Sequence, residues 1–169
     1  PIVTDCTFNG NSADARGGGM RNRDNSNPRV VVCTFSGNHA DYGGGMYNED
    51  SNPIVTSCMF DNNRATDKAG GMLNLRSNPE LSNCTFRNNL AQDGGAMANE
   101  ESSPTVTGCT FNENSAEYEG GGVYNYVAVP NLSQCTFSGN RATYGAGMYS
   151  YRSGDDFASF YDFRQIRGI

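Results

Sequence analysis

At 169 residues the chain is long enough for one domain with a continuous core. Hydrophobic residues reach only 36%, but nine Phe, nine Tyr and a charged fraction of 18% argue against a disordered polar linker. A net charge of -6 argues against a nucleic-acid backbone as partner, and no apolar run approaches the roughly 20 residues of a membrane-crossing helix.

The chain opens at Pro1 inside a repeat, as expected of a processed product or of part of something longer. Prolines at 1, 28, 53, 79, 104 and 130 each lie five residues before a cysteine. The cysteines are Cys6, Cys33, Cys58, Cys84, Cys109 and Cys135, in steps of 25 to 27. Six copies of one unit therefore run through the chain, and the period sets the architecture.

Each copy reads the same way. A short apolar strand comes first, centred on Val3, Val30, Val55, Leu81, Val106 or Leu132. A second strand carries the Cys and then Phe8, Phe35, Phe60, Phe86, Phe111 or Phe137. Inward Cys and Phe flank an outward Thr, because strand side chains alternate. Three residues separate the apolar residue from the Cys, which requires a kink between them. Next come Asn11, Asn38, Asn63, Asn89, Asn114 or Asn140, and two residues on an Ala. A run of small residues leads to Met20, Met46, Met72, Met97, Val123 or Met148, followed two residues later by a second Asn column that ends in Ser150.

Strand-favouring Thr and Val with turn-forming Asn and Gly exclude helical repeats, and five Leu are too few for leucine-rich repeats. The period predicts an all-β parallel β-helix of six coils over residues 1–152, with three short strands per coil. Both Asn columns are expected to be turn ladders, the Asn in left-handed backbone geometry and its amide hydrogen-bonded to the Asn above and below. The Cys-to-Met distance alternates between 14 and 13, predicting a small bulge in every odd coil near Arg16, Lys68 and Glu119. The pattern stops after Tyr149, and residues 153–169 are expected to cap the last coil or act as a linker.

The pairing of C-T-F-x-x-N with G-G-x-M/V resembles the FxxN and GGA[I/L/V] repeats of chlamydial polymorphic membrane proteins and related bacterial surface β-helix proteins. FxxN is present in all six copies, whereas the Gly motif uses Met or Val at its last position. The resemblance implies right-handed coiling and an extracellular or cell-surface setting.

Four features could carry chemistry. The Cys column has no C-x-x-C spacing and a lone His39 for company, so it is expected to be a structural ladder with no metal and no cofactor. Acidic pairs stand at Glu49–Asp50 and Glu100–Glu101, but Arg23, Glu49, Asp50, Arg76 and Glu101 are expected to interleave as a solvated charge ladder, so no catalytic residue is assigned. The outward Thr column is broken by Met59 and reads as strand propensity. Coils five and six place Tyr118 over Tyr144, Tyr124 over Tyr149 and Tyr126 over Tyr151, an exposed patch that could bind a glycan or a protein. The leading expectation is a non-catalytic extracellular structural or adhesive solenoid that self-associates head to tail into fibres. The alternatives are a fragment of a carbohydrate-active lyase or hydrolase, and a glycan- or protein-binding module acting through the Tyr patch.

Overall fold

A computed structural model describes residues 1–151, and in them the chain winds as six stacked coils with no helix. Three six-stranded parallel sheets run the length of the stack, and a fourth, of four strands, spans the inner coils. The Val face takes its strands from Ile2–Thr4, Arg29–Val31, Ile54–Thr56, Glu80–Ser82, Thr105–Thr107 and Asn131–Ser133. The Phe face takes Thr7–Asn9, Thr34–Ser36, Met59–Asp61, Thr85–Arg87, Thr110–Asn112 and Thr136–Ser138. The Met face takes Met20–Arg23, Met46–Glu49, Met72–Leu75, Met97–Glu100, Val123–Tyr126 and Met148–Tyr151. The expected cap over 153–169 lies outside the described residues.

The expected three strands per coil hold for the first and last coils only. The inner four coils carry a fourth, the Ala face, at His39–Tyr42, Arg64–Lys68, Leu90–Asp93 and Ser115–Glu119. In the outer coils the same segment is reduced to isolated bridges such as Ser12↔His39 and Ser115↔Arg141. The register shift interrupts this ladder, and against a single described neighbour only isolated bridges are left.

Register is set by the columns read from the sequence: Val3 pairs Val30, Phe8 pairs Phe35 and Met46 pairs Met72. The apolar, Cys, Phe and Met columns form one continuous core, and the Ala column is buried beside it. The Phe rings stack with centroids 4.6 to 5.1 Å apart and planes within 7° of parallel. That separation is the strand spacing of a sheet, so the backbone ladder dictates the aromatic stack.

Two corners of every coil turn on a single left-handed residue. Between the Val and Phe faces they are Asp5, Val32, Ser57, Asn83, Gly108 and Gln134. Between the Phe and Ala faces they are Gly10, Gly37, Asn62, Asn88, Glu113 and Gly139. These corners supply the expected kink and correct the expected role of the first Asn column. The left-handed residue is the one before the conserved Asn, and the Asn itself is free to aim its amide along the rod.

Asn63 shows what that amide does. Its Oδ1 accepts from the Asn38 backbone N–H at 3.0 Å and from Asn38 Nδ2 at 2.9 Å. Its Nδ2 donates to Asn89 Oδ1 at 3.0 Å and to the Phe35 carbonyl at 2.9 Å. All four hydrogen-bonding positions of the side chain are filled. The second Asn column is corrected too. Asn22, Asn48, Asn74, Asn99 and Asn125 are the third residues of Met-face strands, not of turns, and Nδ2 donates to Oδ1 from coil to coil at 2.8 to 2.9 Å. A further ladder joins Ser51, Ser77 and Ser102, each hydroxyl accepting from the backbone N–H of the coil before.

Two outcomes follow for stability. Asn63→Ala leaves buried donors of Asn38 and the Phe35 carbonyl without partners, and lowers stability by about 3 kcal/mol or more. Asn140→Ala, in the half-buried end coil where water reaches the ladder, costs less than about half of that by the same reasoning. Urea unfolding of both variants is the measurement. At the exposed corner residue Val32, whose φ is +54°, a β-branched side chain is strained. Val32→Asn is expected to raise stability by about 1 kcal/mol in the same assay.

Candidate functional site

The outer side of the Met face is where the columns stop being uniform. One outward column reads Arg21, Tyr47, Leu73, Ala98, Tyr124, Tyr149, and the next reads Arg23, Glu49, Leu75, Glu100, Tyr126, Tyr151. A third, at the corner with the Ala face, reads Arg16, Tyr42, Lys68, Asp93, Glu119, Tyr144.

The corner column is held in line by the expected bulge. Lys68 pairs with Tyr42 and Asp93, and the register shift falls between Ala65 and Lys68. Odd coils therefore absorb their extra residue just before the corner, at positions such as Asp67 and Tyr118. This overturns one expected pairing: Tyr144 bridges Glu119, not Tyr118, and Tyr118 stands out from the bulge, half-exposed. The other two pairings hold. Tyr124 stacks on Tyr149 with centroids 6.0 Å apart, and Tyr126 on Tyr151 at 5.7 Å.

The patch is also less exposed than expected. Tyr124 is buried and joins Tyr47, Ala69, Leu73 and Ala98 in a second small core outside the sheet, with Tyr42, Leu75, Tyr126 and Tyr149 packed against it. The corner makes this possible. After the corner residue the chain turns through a small left-handed residue, Ala69 in coil three and Gly in the others; at Gly94 a side chain would meet the Met97 carbonyl at 2.6 Å and Ala98 Cβ at 2.9 Å. The small residue leaves a concave angle in which outward side chains are covered.

Cations form part of the cover. Arg16 and Arg21 donate to Glu49 at 3.2 and 3.1 Å, and their guanidinium groups sit 5.3 and 5.8 Å from the Tyr47 ring centre. Lys68 reaches from coil three to Glu100 in coil four and lies 5.7 Å from the centre of the Tyr124 ring in coil five. Ala98, the smallest side chain of its column, is in the coil between. Burial is the largest influence and pulls the Lys68 ammonium down, but the Glu100 hydrogen bond and charge, with Asp67 and Asp93, together outweigh it and hold its proton above the ordinary lysine value. Burial likewise raises the Tyr47 and Tyr124 phenols. Tyr149 has Glu119 beside it, which adds to burial in raising its phenol.

The expected charge ladder is only partly formed. Arg76 holds Asp50 by two hydrogen bonds of 2.9 Å and reaches Glu49 at 3.6 Å. Arg23 turns to its own neighbour Asp24 at 2.9 Å instead of joining the ladder. Glu100 belongs to Lys68, and Glu101 takes the left-handed turn that follows, so the two do not face one another across a groove.

Elsewhere, the Cys ladder is a set of free thiols. The Cys33 sulfur accepts from the Cys6 backbone N–H at 3.4 Å and donates to the Val31 carbonyl at 3.3 Å. Burial pushes its pKa up. Among the described residues no three His, Cys, Asp or Glu side chains gather in metal-binding geometry. A shallow depression of about 260 Å³ lies on the outer Ala face, with Arg64, Leu90, Gln92 and Glu117 on its walls.

Comparison with protein families identifies the right-handed β-helix region as the match, over residues 3–159. The chain belongs to that family, a right-handed parallel β-solenoid. Neither the curated proteins nor the solved structures gave a match.

Asp93 tests the electrostatics of the corner. Burial raises its carboxyl; the Glu119 backbone N–H at 3.2 Å works against this, and the Glu119 carboxylate adds to it. A pKa raised on folding favours the folded state below the ordinary aspartate value of about 3.9 and loses that contribution as pH rises through the raised value. Asp93→Asn keeps an acceptor for the Glu119 N–H and removes the charge. Its urea midpoint should exceed that of the parent at about pH 7, and the difference should vanish near about pH 3.

Proposed function

We propose that this chain is a non-catalytic structural and adhesive β-solenoid of the cell surface or extracellular space, able to stack head to tail into fibres. The observation that carries this reading is the continuity of the ladders. Phe, Cys and both Asn columns repeat in every coil or nearly so, each side chain meeting its own copy at the strand spacing. Every buried side-chain N or O among the described residues has a hydrogen-bond partner. The composition is accounted for by making a rod.

The likeness of the FxxN strand to chlamydial surface-protein repeats supports the surface setting. Stacking extends the same principle: each described coil is satisfied by its neighbour, Asn38 by Asn63 and Asn63 by Asn89, so the pattern has no internal stop.

A second reading, binding of a glycan or protein on the side of the rod, is favoured by the half-exposed Tyr126, Tyr149 and Tyr151.

Negative-stain electron microscopy and light scattering over a concentration series test the stacking. Filaments with an axial repeat on the order of 29 Å, six strand spacings, are expected. Particles of one fixed small mass at every concentration would rule the fibre out.

A further inference from the structure

Charge on the outer Met face is segregated along the rod. Over the corner column, the two outward columns and the turn that follows them, coils one to three carry Arg16, Arg21, Arg23, Lys68 and Arg76 against Asp24, Glu49 and Asp50. On the same columns and turns, coils four to six carry Asp93, Glu100, Glu101 and Glu119 and no cation among the described residues. A face with opposite ends of opposite sign complements itself when a second rod is laid against it antiparallel, and repels itself when parallel.

The tyrosines say where the contact would be strongest. Within the chain, Tyr47 and Tyr124 are each covered by a cation from an earlier coil. Tyr149 and Tyr151 form the next such site. They are stacked on Tyr124 and Tyr126, with Glu119 at Tyr149, but no described cation lies over them. At the other end of the face, Arg23 is 61% exposed and its ion-pair partner is its still more exposed neighbour Asp24. The face thus has a cation site without a cation at one end and a weakly committed cation at the other.

We infer that two copies of this chain associate side by side and antiparallel through the outer Met face, placing Arg23 of each copy on the Tyr149–Tyr151 site of the other. The arrangement is two-fold symmetric, so both contacts form twice. Coils three and four face one another at the centre, bringing Arg76 opposite Glu101. The face is roughly 29 Å by 13 Å from strand spacing and rise, or on the order of 400 Å² per copy. That is about half the area of a standard stable interface, so the dimer is weak and is expected only at high concentration. It is closed, and so distinct from end-to-end stacking, which grows without limit.

Sedimentation equilibrium on the full chain, up to about 0.5 mM and at low salt, is the test. The parent should contain a species of twice the chain mass, and about 0.5 M salt should remove that species as the charges are screened, whether or not end-to-end growth also occurs. Arg23→Glu and Tyr151→Lys alter exposed side chains and should fold as the parent does. Each alone should weaken dimerisation at least about 10-fold, the scale of losing a desolvated charged contact twice. An equimolar mixture of the two should dimerise again. In the mixed pair the introduced carboxylate faces the introduced ammonium, and the other contact is the parental one. A parent that stays monomeric would overturn the proposal. So would variants that dimerise like the parent, or a mixture that does no better than its components.

Discussion

A coil of 25 to 27 residues has to turn several corners, and at a corner the chain leaves the sheet and its regular ladder. The amide column of Asn11, Asn38, Asn63, Asn89, Asn114 and Asn140 answers that constraint at the Phe–Ala corner. One carbonyl oxygen takes two donors from the coil before, and one amide nitrogen serves the coil after and a Phe carbonyl of the coil before. Aspartate would lack the donors, serine has one donor instead of two, and glutamine would set its amide one bond too far from the backbone. Because the partner of each Asn is the Asn of the neighbouring coil, no coil satisfies its own corner. Stability is then carried by the contacts between neighbours, as in other repeat stacks. The Phe stack and the thiol ladder sit inside a frame that this backbone pairing has already spaced.

Much of this was legible in the chain as written. Columns that recur in all six copies are those whose side chains meet their own copies, so the core, the period and the register could be read directly. What escaped was carried by columns that vary. Left-handed corners fall on Asp5, Val32, Ser57, Asn83, Gly108 and Gln134, which share a backbone angle and no chemistry. One clue was available: Gly10, Gly37, Asn62, Asn88 and Gly139 precede the conserved Asn, and Gly and Asn are the residues that tolerate a positive φ. The pairing of Tyr118 with Tyr144 failed because counting from the Cys ignores where a bulge places its extra residue. Burial of Tyr124 could not be seen at all, since it depends on a concave corner and on a lysine two coils away.

That corner makes the alternation of coil length intelligible. In odd coils the added residue lies just before the corner position, and Arg16 and Lys68 project from there over the Met face of the coils that follow. The small core of Tyr47, Leu73, Ala98 and Tyr124 lies outside the sheet, where a flat surface would have left it in water. A left-handed Gly or Ala bends the floor, and the long cationic side chains close the roof. Their apolar stems can lie along the rings while the charged ends reach Glu49 and Glu100. The salt bridges on this face therefore fix side chains that shield apolar surface, a role in which partly exposed ion pairs contribute more than their own small attraction.

Stacking also limits where charge can go. Like charges in one column stand about 4.8 Å apart, and even in water such a pair costs on the order of 0.9 kcal/mol. The first three coils respect this, with Arg16, Arg21 and Arg76 gathered around Glu49. Coils four and five do not: Asp93 and Glu119 are neighbours in the corner column, and Asp93 holds its proton more tightly as a result of burial and that neighbour. The ladders do not require this, since a lysine or a neutral residue at either position would stack as well. An anionic cluster beside stacked tyrosines costs the isolated rod stability. The same cluster would gain favourable contacts if a cation were brought to it.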